Sequence, residues 1–220
     1  MKLAALFPML ISCLGGQQLH SNFAGGAIGV TTLSADGQTV ITAATSSVSS
    51  YKPENGWTAQ LFYGRHVFDY FSVQGTFTAN RNAVTLSAVA AGAGQDAAYE
   101  QTRGSRHQMY GAEAMAYFRS RASGLRPYLS AGGGVNHFSS SAGRIAVQRG
   151  ALALPPAAFS AVKPYGRVAV GIDVRLAAGW KFRFSFAESI LKNPVSAQLS
   201  PPGKRNLASF QNLFGFVREF

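Results

Sequence analysis

At 220 residues the chain suits a single domain. It is 47% hydrophobic, 12% aromatic and 13% charged, with 24 glycines, whereas a water-soluble domain typically carries about 25% charged residues. The net charge of +11 comes from scattered basic residues with no helical or zinc-finger pattern, which excludes nucleic-acid binding. After the N-terminus no run of about 20 apolar residues exists, which excludes helical membrane spans.

Residues 1–22 read as an export signal, with Lys2 as a minimal n-region, residues 3–11 as a short apolar h-region, and small and polar residues after it. Residues 23–220 are then the mature domain. Residues 10–13, Leu-Ile-Ser-Cys, resemble a bacterial lipobox, in which the cysteine is lipidated; a cysteine incidental to an apolar signal is the preferred reading. Cys13 is the sole cysteine, so no intramolecular disulfide or cysteine-rich metal site can form.

Beyond the signal, alternation predicts eight strands at about 24–34, 57–66, 70–81, 107–119, 126–138, 164–176, 180–190 and 209–220. In the third, Phe71, Val73, Gly75, Phe77 and Ala79 alternate with Ser72, Gln74, Thr76, Thr78 and Asn80. In the fifth, Leu129, Ala131, Gly133 and Val135 alternate with Tyr128, Ser130, Gly132 and Gly134. In the sixth, Val168, Val170, Ile172 and Val174 alternate with Arg167, Ala169, Gly171 and Asp173. The seventh is clearest, with Trp180, Phe182, Phe184 and Phe186 against Lys181, Arg183 and Ser185. Such an apolar face needs a cover, and no helix-period segment supplies one. Lipid is the remaining solvent, and the sheet must close to leave no edge in it. The mean hydropathy of +0.06 fits a wall in which alternate residues meet lipid.

Connections alternate in length. Residues 66–70, 120–125 and 177–179 are short turns, whereas 35–56, 82–106, 139–163 and 191–208 read as long loops. This predicts an all-β, eight-stranded antiparallel up-and-down transmembrane barrel, turns on one rim and loops on the other. Gly179 in a left-handed conformation would close a three-residue turn with Leu176 facing Trp180. Counting back puts Arg175 opposite Lys181, both near water at the rim, and Asp173 opposite Arg183 inside. The inward phase also holds Glu113, Arg119 and Arg167. Eight strands leave an interior just wide enough for side chains to fill, so this charge network is expected to knit the lumen. The alternative is a narrow, anion-preferring pore.

The last eleven residues, Phe-Gln-Asn-Leu-Phe-Gly-Phe-Val-Arg-Glu-Phe, resemble the β-signal read by the barrel assembly machinery, through Phe214, Gly215, Phe216 and the terminal Phe220. Arg218 departs from that pattern, which usually has an apolar or aromatic residue there. Over residues 24–220 the chain is similar to the small bacterial outer-membrane β-barrels, including the membrane domain of outer-membrane protein A, without that protein's periplasmic domain. Residues 189–216, with Asn193-Pro194 and Ser-Pro-Pro-Gly at 200–203, also resemble barrels of Acidobacteria-type bacteria. The resemblance implies a Gram-negative outer membrane, extracellular loops, both termini periplasmic, and outer-membrane lipids and lipopolysaccharide as neighbours.

His137-Phe138-Ser139 resembles the His-x-Ser of the outer-membrane lipid A deacylases, in which a triad lies on the lipid-facing wall. A serine nucleophile needs a histidine base and an acid to orient it. No acid stands where that family has it, and Glu188 is the outward-phased substitute, two strands away. A lipid A acyl hydrolase is therefore the runner-up to a non-enzymatic barrel that meets lipopolysaccharide or a surface partner through basic loops. His20, His66, His107 and His137 are scattered away from carboxylate clusters, so neither metal nor cofactor is expected.

Overall fold

The computed structural model describes residues 21–42, 45–92, 96–150, 152–177, 179–203 and 205–220. The candidate signal, including Cys13 and His20, lies outside the described residues, while Ser21 and Asn22 already belong to the first strand. Among the described residues are ten strands: β1 Ser21–Leu33, β2 Asp36–Ile41, β3 Thr45–Pro53, β4 Gly56–Phe68, β5 Phe71–Gly92, β6 Ala97–Tyr117, β7 Leu125–Arg149, β8 Ala158–Ala177, β9 Trp180–Lys192 and β10 Asn206–Glu219. Eight of them, all but β2 and β3, pair antiparallel in a ring that closes where β1 meets β10.

Closure follows from alternation, because each wall strand turns one set of side chains out and the other in. Outward, large apolar residues stay exposed around the ring: Ile28 71%, Leu61 63%, Val168 52% and Phe216 53%. Inward, the polar set Ser72, Gln74, Thr76, Thr78 and Asn80 is buried. The outward residues of β5 stay apolar from Phe71 through Ala79 and end at Arg81. At about 3.3 Å per residue and a tilt near 40°, the ten steps from Phe71 to Arg81 rise about 25 Å, the height of the apolar band of an outer-membrane barrel.

Above Arg81 the strands continue. β5 and β6 pair up to Ala90 and Ala97, β6 and β7 up to Ala98 and Arg149, and the β2–β3 hairpin lies along β5 between Val84 and Gly92. Much of 35–56, 82–106 and 139–163 is therefore strand and not loop. The reason is a reversal of phase at the band's edge. Below Asn82 the inward side is polar, but above it Val84, Leu86 and Ala88 turn in. There they form a core with Tyr51, Tyr99, Phe138, Val195, Leu199 and Leu207. Outside the band the wall's outer face meets water, so hydrophobic burial favours an apolar interior.

The turns cluster on the opposite rim, where the start of β1 meets the end of β10. The Asn22 and Phe220 backbones exchange two hydrogen bonds at 3.0 Å. Gly179 has φ +80° as expected, but Ala177, not Leu176, faces Trp180, and Leu176 is the extra residue of a bulge. The bulge restores the register below it, so Arg175 still faces Lys181 and Asp173 faces Arg183.

Inward glycines admit large neighbours. A Cβ on Gly171 would run into the Tyr128 ring and the Phe184 carbonyl oxygen. Gly171→Val is expected to cost about 1–3 kcal/mol through overpacking. Urea unfolding in detergent measures it, and an unchanged midpoint contradicts the packing.

Candidate functional site

The lumen is built around Arg183, which β9 turns inward between the outward Phe182 and Phe184. Its Nε donates to Asp173 Oδ1 at 2.7 Å and its Nη2 to Oδ2 at 2.8 Å, a two-pronged pair between neighbouring strands. Nη2 also donates to the Tyr117 hydroxyl at 3.2 Å, and Nη1 to Gln74 Oε1 at 3.2 Å. Aromatic rings of Phe62, Tyr128 and Phe23 lie 4.8, 5.0 and 5.7 Å from the guanidinium carbon. Side chains from β1, β4, β5, β6, β7 and β8 thus converge on one residue of β9.

A second pair lies above it. Arg167 Nε approaches Glu113 Oε1 at 3.1 Å, an ion pair by distance whose N–H is not aligned as a hydrogen bond. Glu113 Oε2 accepts from Ser130 at 3.0 Å and from the Gln74 amide at 3.2 Å. Gln74 therefore joins both pairs, donating to one carboxylate while accepting from the arginine of the other. With the Gln60 amide oxygen turned towards Arg167, both terminal guanidinium nitrogens donate to it at 3.2 Å.

At the rim that holds the turns, Lys181 is 3% exposed. It does not reach water as its position suggests, because Glu219 Oε1 takes its ammonium at 2.6 Å. The same oxygen lies 2.8 Å from His66 Nε2. Arg175 is exposed as expected. Arg119 corrects the expected network: β6 ends at Tyr117, so the alternation stops short of it and its side chain is exposed in the turn. Arg126 on β7, 1% exposed, takes the inward place, 3.7 Å above the Tyr117 ring, with its Nη2 donating to the Asp69 carbonyl at 2.8 Å.

At the other end residues 193–203 fold inward. Asn193 Oδ1 accepts from the Val195 and Ser196 amides, and Ser196 donates to Asp36 Oδ2 at 2.5 Å. This seats Val195 and Leu199 in the upper apolar core. Side chains thus fill the cross-section at four levels, which opposes the pore reading.

The lipid-facing candidates stay apart. His137 is exposed on the wall, with Nδ1 3.3 Å from Gln108 Oε1, and Ser139 pairs in register with Arg106 and Ser160. His137 faces Val162 of β8 and Glu188 faces Val168. Six residues separate those levels, about 20 Å along a strand. Glu188 cannot orient the His137 ring at that distance, so no triad forms. Of the terminal signal, Phe214, Phe216 and Phe220 point outward, 50%, 53% and 64% exposed, and Gly215 points inward. Arg218 fits its outward place by lying 5.4 Å over the Trp180 ring. Gln74, Tyr117, Arg126 and Glu219 are the site residues that charge counting missed. Alternation carries the signal for each, since each shares the inward phase of its strand.

A closed ring of eight strands, apolar without and polar within, leaves one class of architecture. The chain has the fold of the small bacterial outer-membrane β-barrels. No protein-family model and no curated protein sequence matches it. Among solved structures, outer membrane protein OprG from Pseudomonas aeruginosa is similar with TM-score 0.50 and 15% identity, over 91% of this chain and 95% of that one. Neisserial surface protein A gives 0.48 and 12%, over 90% and 97%. Ail, the attachment invasion locus protein of Yersinia pestis, in complex with the heparin analogue sucrose octasulfate, gives 0.46 and 11%, over 91% and 99%. At these identities the likeness is one of fold.

Proposed function

We propose that the chain is an integral outer-membrane barrel without catalytic activity, which anchors a rigid head outside the cell where it meets lipopolysaccharide or a surface partner. The observation that carries this reading is the head itself. β5, β6 and β7 run past the apolar band and, with the β2–β3 hairpin, enclose a core that includes Tyr51, Leu86 and Tyr99. A folded head on a plugged barrel suits contact, as it opens no path for solute. Short turns share the opposite rim with the start of β1 and the end of β10, the arrangement of periplasmic turns and external loops in barrels of this class. The exported precursor would reach the barrel assembly machinery through its last strand.

Single cysteines report the orientation. Val147→Cys in the head is expected to react with a membrane-impermeant maleimide on intact cells, and Ala122→Cys in a turn only after the outer membrane is permeabilised, with modified peptides identified by mass spectrometry. The reverse pattern overturns the orientation. Lipid A from cells with and without the protein is expected to carry the same number of acyl chains; loss of one would restore the hydrolase.

A further inference from the structure

The outer wall carries two arginines side by side at the upper edge of the apolar band. Arg81 of β5 and Arg106 of β6 are paired in register, and both are exposed. The row continues through Ser139 of β7 to Ser160 of β8, with Trp57 of β4 on the other flank of Arg81. One step below are Ala79 and Gln108, and two steps below Phe77 and Tyr110 pack with ring centroids 5.0 Å apart. Arg81, Arg106, Ser139 and Ser160 are among the residues that line an open hollow of 530 Å³, which leaves room for a ligand group.

Like charges directly opposite on neighbouring strands repel. Among the described residues no carboxylate forms an ion pair with either guanidinium. The lumen arginines Arg167 and Arg183, by contrast, each have a carboxylate. An unneutralised pair at the height where apolar wall gives way to water lies at the level of lipid headgroups. Guanidinium forks match phosphate oxygens in twos, and flanking serine hydroxyls can donate to the remaining oxygens or to a sugar. Phe77 and Tyr110 below would meet the upper acyl segments.

We propose that Arg81 and Arg106, with Ser139 and Ser160, bind the phosphate of a phosphorylated glycolipid headgroup in the outer leaflet. The site deepens the outer-membrane reading above and rests on its orientation. It places the phosphate contact on the outer wall below the head.

The test uses the full-length barrel purified in a zwitterionic detergent, with native mass spectrometry of its complexes with diphosphorylated lipid A and with the same lipid dephosphorylated. The wild type is expected to retain the phosphorylated lipid preferentially. The double variant Arg81→Gln/Arg106→Gln is expected to lose affinity about tenfold or more, the scale of losing charge-assisted bonds. The pair Arg81→Lys/Arg106→Lys keeps charge without the fork and should fall between. Removing two cations from the head, Lys52→Gln/Arg149→Gln, should leave affinity within about twofold of wild type, as screening over a Debye length predicts. Equal loss in the head control, or no loss in the glutamine pair, overturns the site. Heat-modifiable migration verifies that each variant is folded. The cysteine labelling tests orientation separately: inverted labelling with intact phosphate selectivity would reject the outer-leaflet placement and keep the binding chemistry.

Discussion

Asp173→Ala is expected to destabilise the barrel by about 3 kcal/mol, at the lower end of the 3–5 kcal/mol typical for breaking a buried pair. The variant leaves Arg183 buried, yet its guanidinium keeps the Tyr117 hydroxyl, Gln74 Oε1 and three aromatic rings. Cation–π contacts out of water contribute up to about 2 kcal/mol each, so they soften the loss. Arg183→Met should cost more. It leaves the Asp173 carboxylate with the distant Tyr117 hydroxyl, at 3.4 Å, as a side-chain donor, and it also frees Gln74 Oε1. Changing both residues should cost much less than the sum, because no uncompensated charge remains. Urea unfolding in detergent of the two single variants and the double variant, read as a cycle, measures the coupling. A coupling below about 0.5 kcal/mol, the level of independent sites, would mean that the two side chains do not act as a pair.

The register of that pair was legible in the sequence for a simple reason. Gly179 fixes the turn, and from it two alternating strands can be counted back to Asp173 and Arg183. The expected turn was off by one residue, and the Leu176 bulge absorbed the difference before the count reached the charges. Within the apolar band the sequence is readable because two solvents, lipid and a packed polar lumen, impose opposite demands on successive residues. Above the band those demands reverse. Val84, Leu86 and Ala88 turn inward while Thr85 and Ser87 turn outward, so a constant apolar phase ends at Arg81 although the strand does not. Small residues make this harder, since Ala, Ser and Gly over 82–106 and 139–163 look like loop composition.

The site was legible to the extent that it depends on phase and not on partners. Glu113, Arg167, Asp173, Lys181 and Arg183 could all be assigned to the interior by alternation. Their cross-lumen neighbours could not, because strand tilt and stagger decide which inward residues meet across a barrel. Gln74 links the Arg183 and Glu113 clusters from β5, more than a hundred positions from Arg183 in sequence. No local pattern encodes that contact. Arg119 failed for the complementary reason, since alternation says nothing about where a strand stops.

Phe216→Asp is expected to abolish assembly in cells while leaving a chain that still folds in detergent. Phe216 packs edge-on against Phe182 at 5.9 Å and pairs in register with Gly26 across the seam. It lies two outward positions from the chain end, close to the rim. A carboxylate on the lipid face near an interface costs only about 1 kcal/mol or less, against about 2–4 kcal/mol for a cation at the midplane. Stability alone therefore cannot explain a missing barrel. Deleting Phe220 removes two backbone hydrogen bonds to Asn22, each contributing about 0.5–1.5 kcal/mol net, and again leaves most of the seam from Glu219 to Ser209 paired with β1. If the terminal strand is read as an assembly signal, both variants should accumulate unfolded in the periplasm, seen as loss of heat-modifiable migration on a cold gel. The same proteins refolded in detergent micelles should recover that migration. Normal migration of both variants from cells would contradict the signal. Failure in micelles as well would place the defect in the closing seam itself, since an open barrel exposes two unpaired strand edges to lipid at several kcal/mol per group.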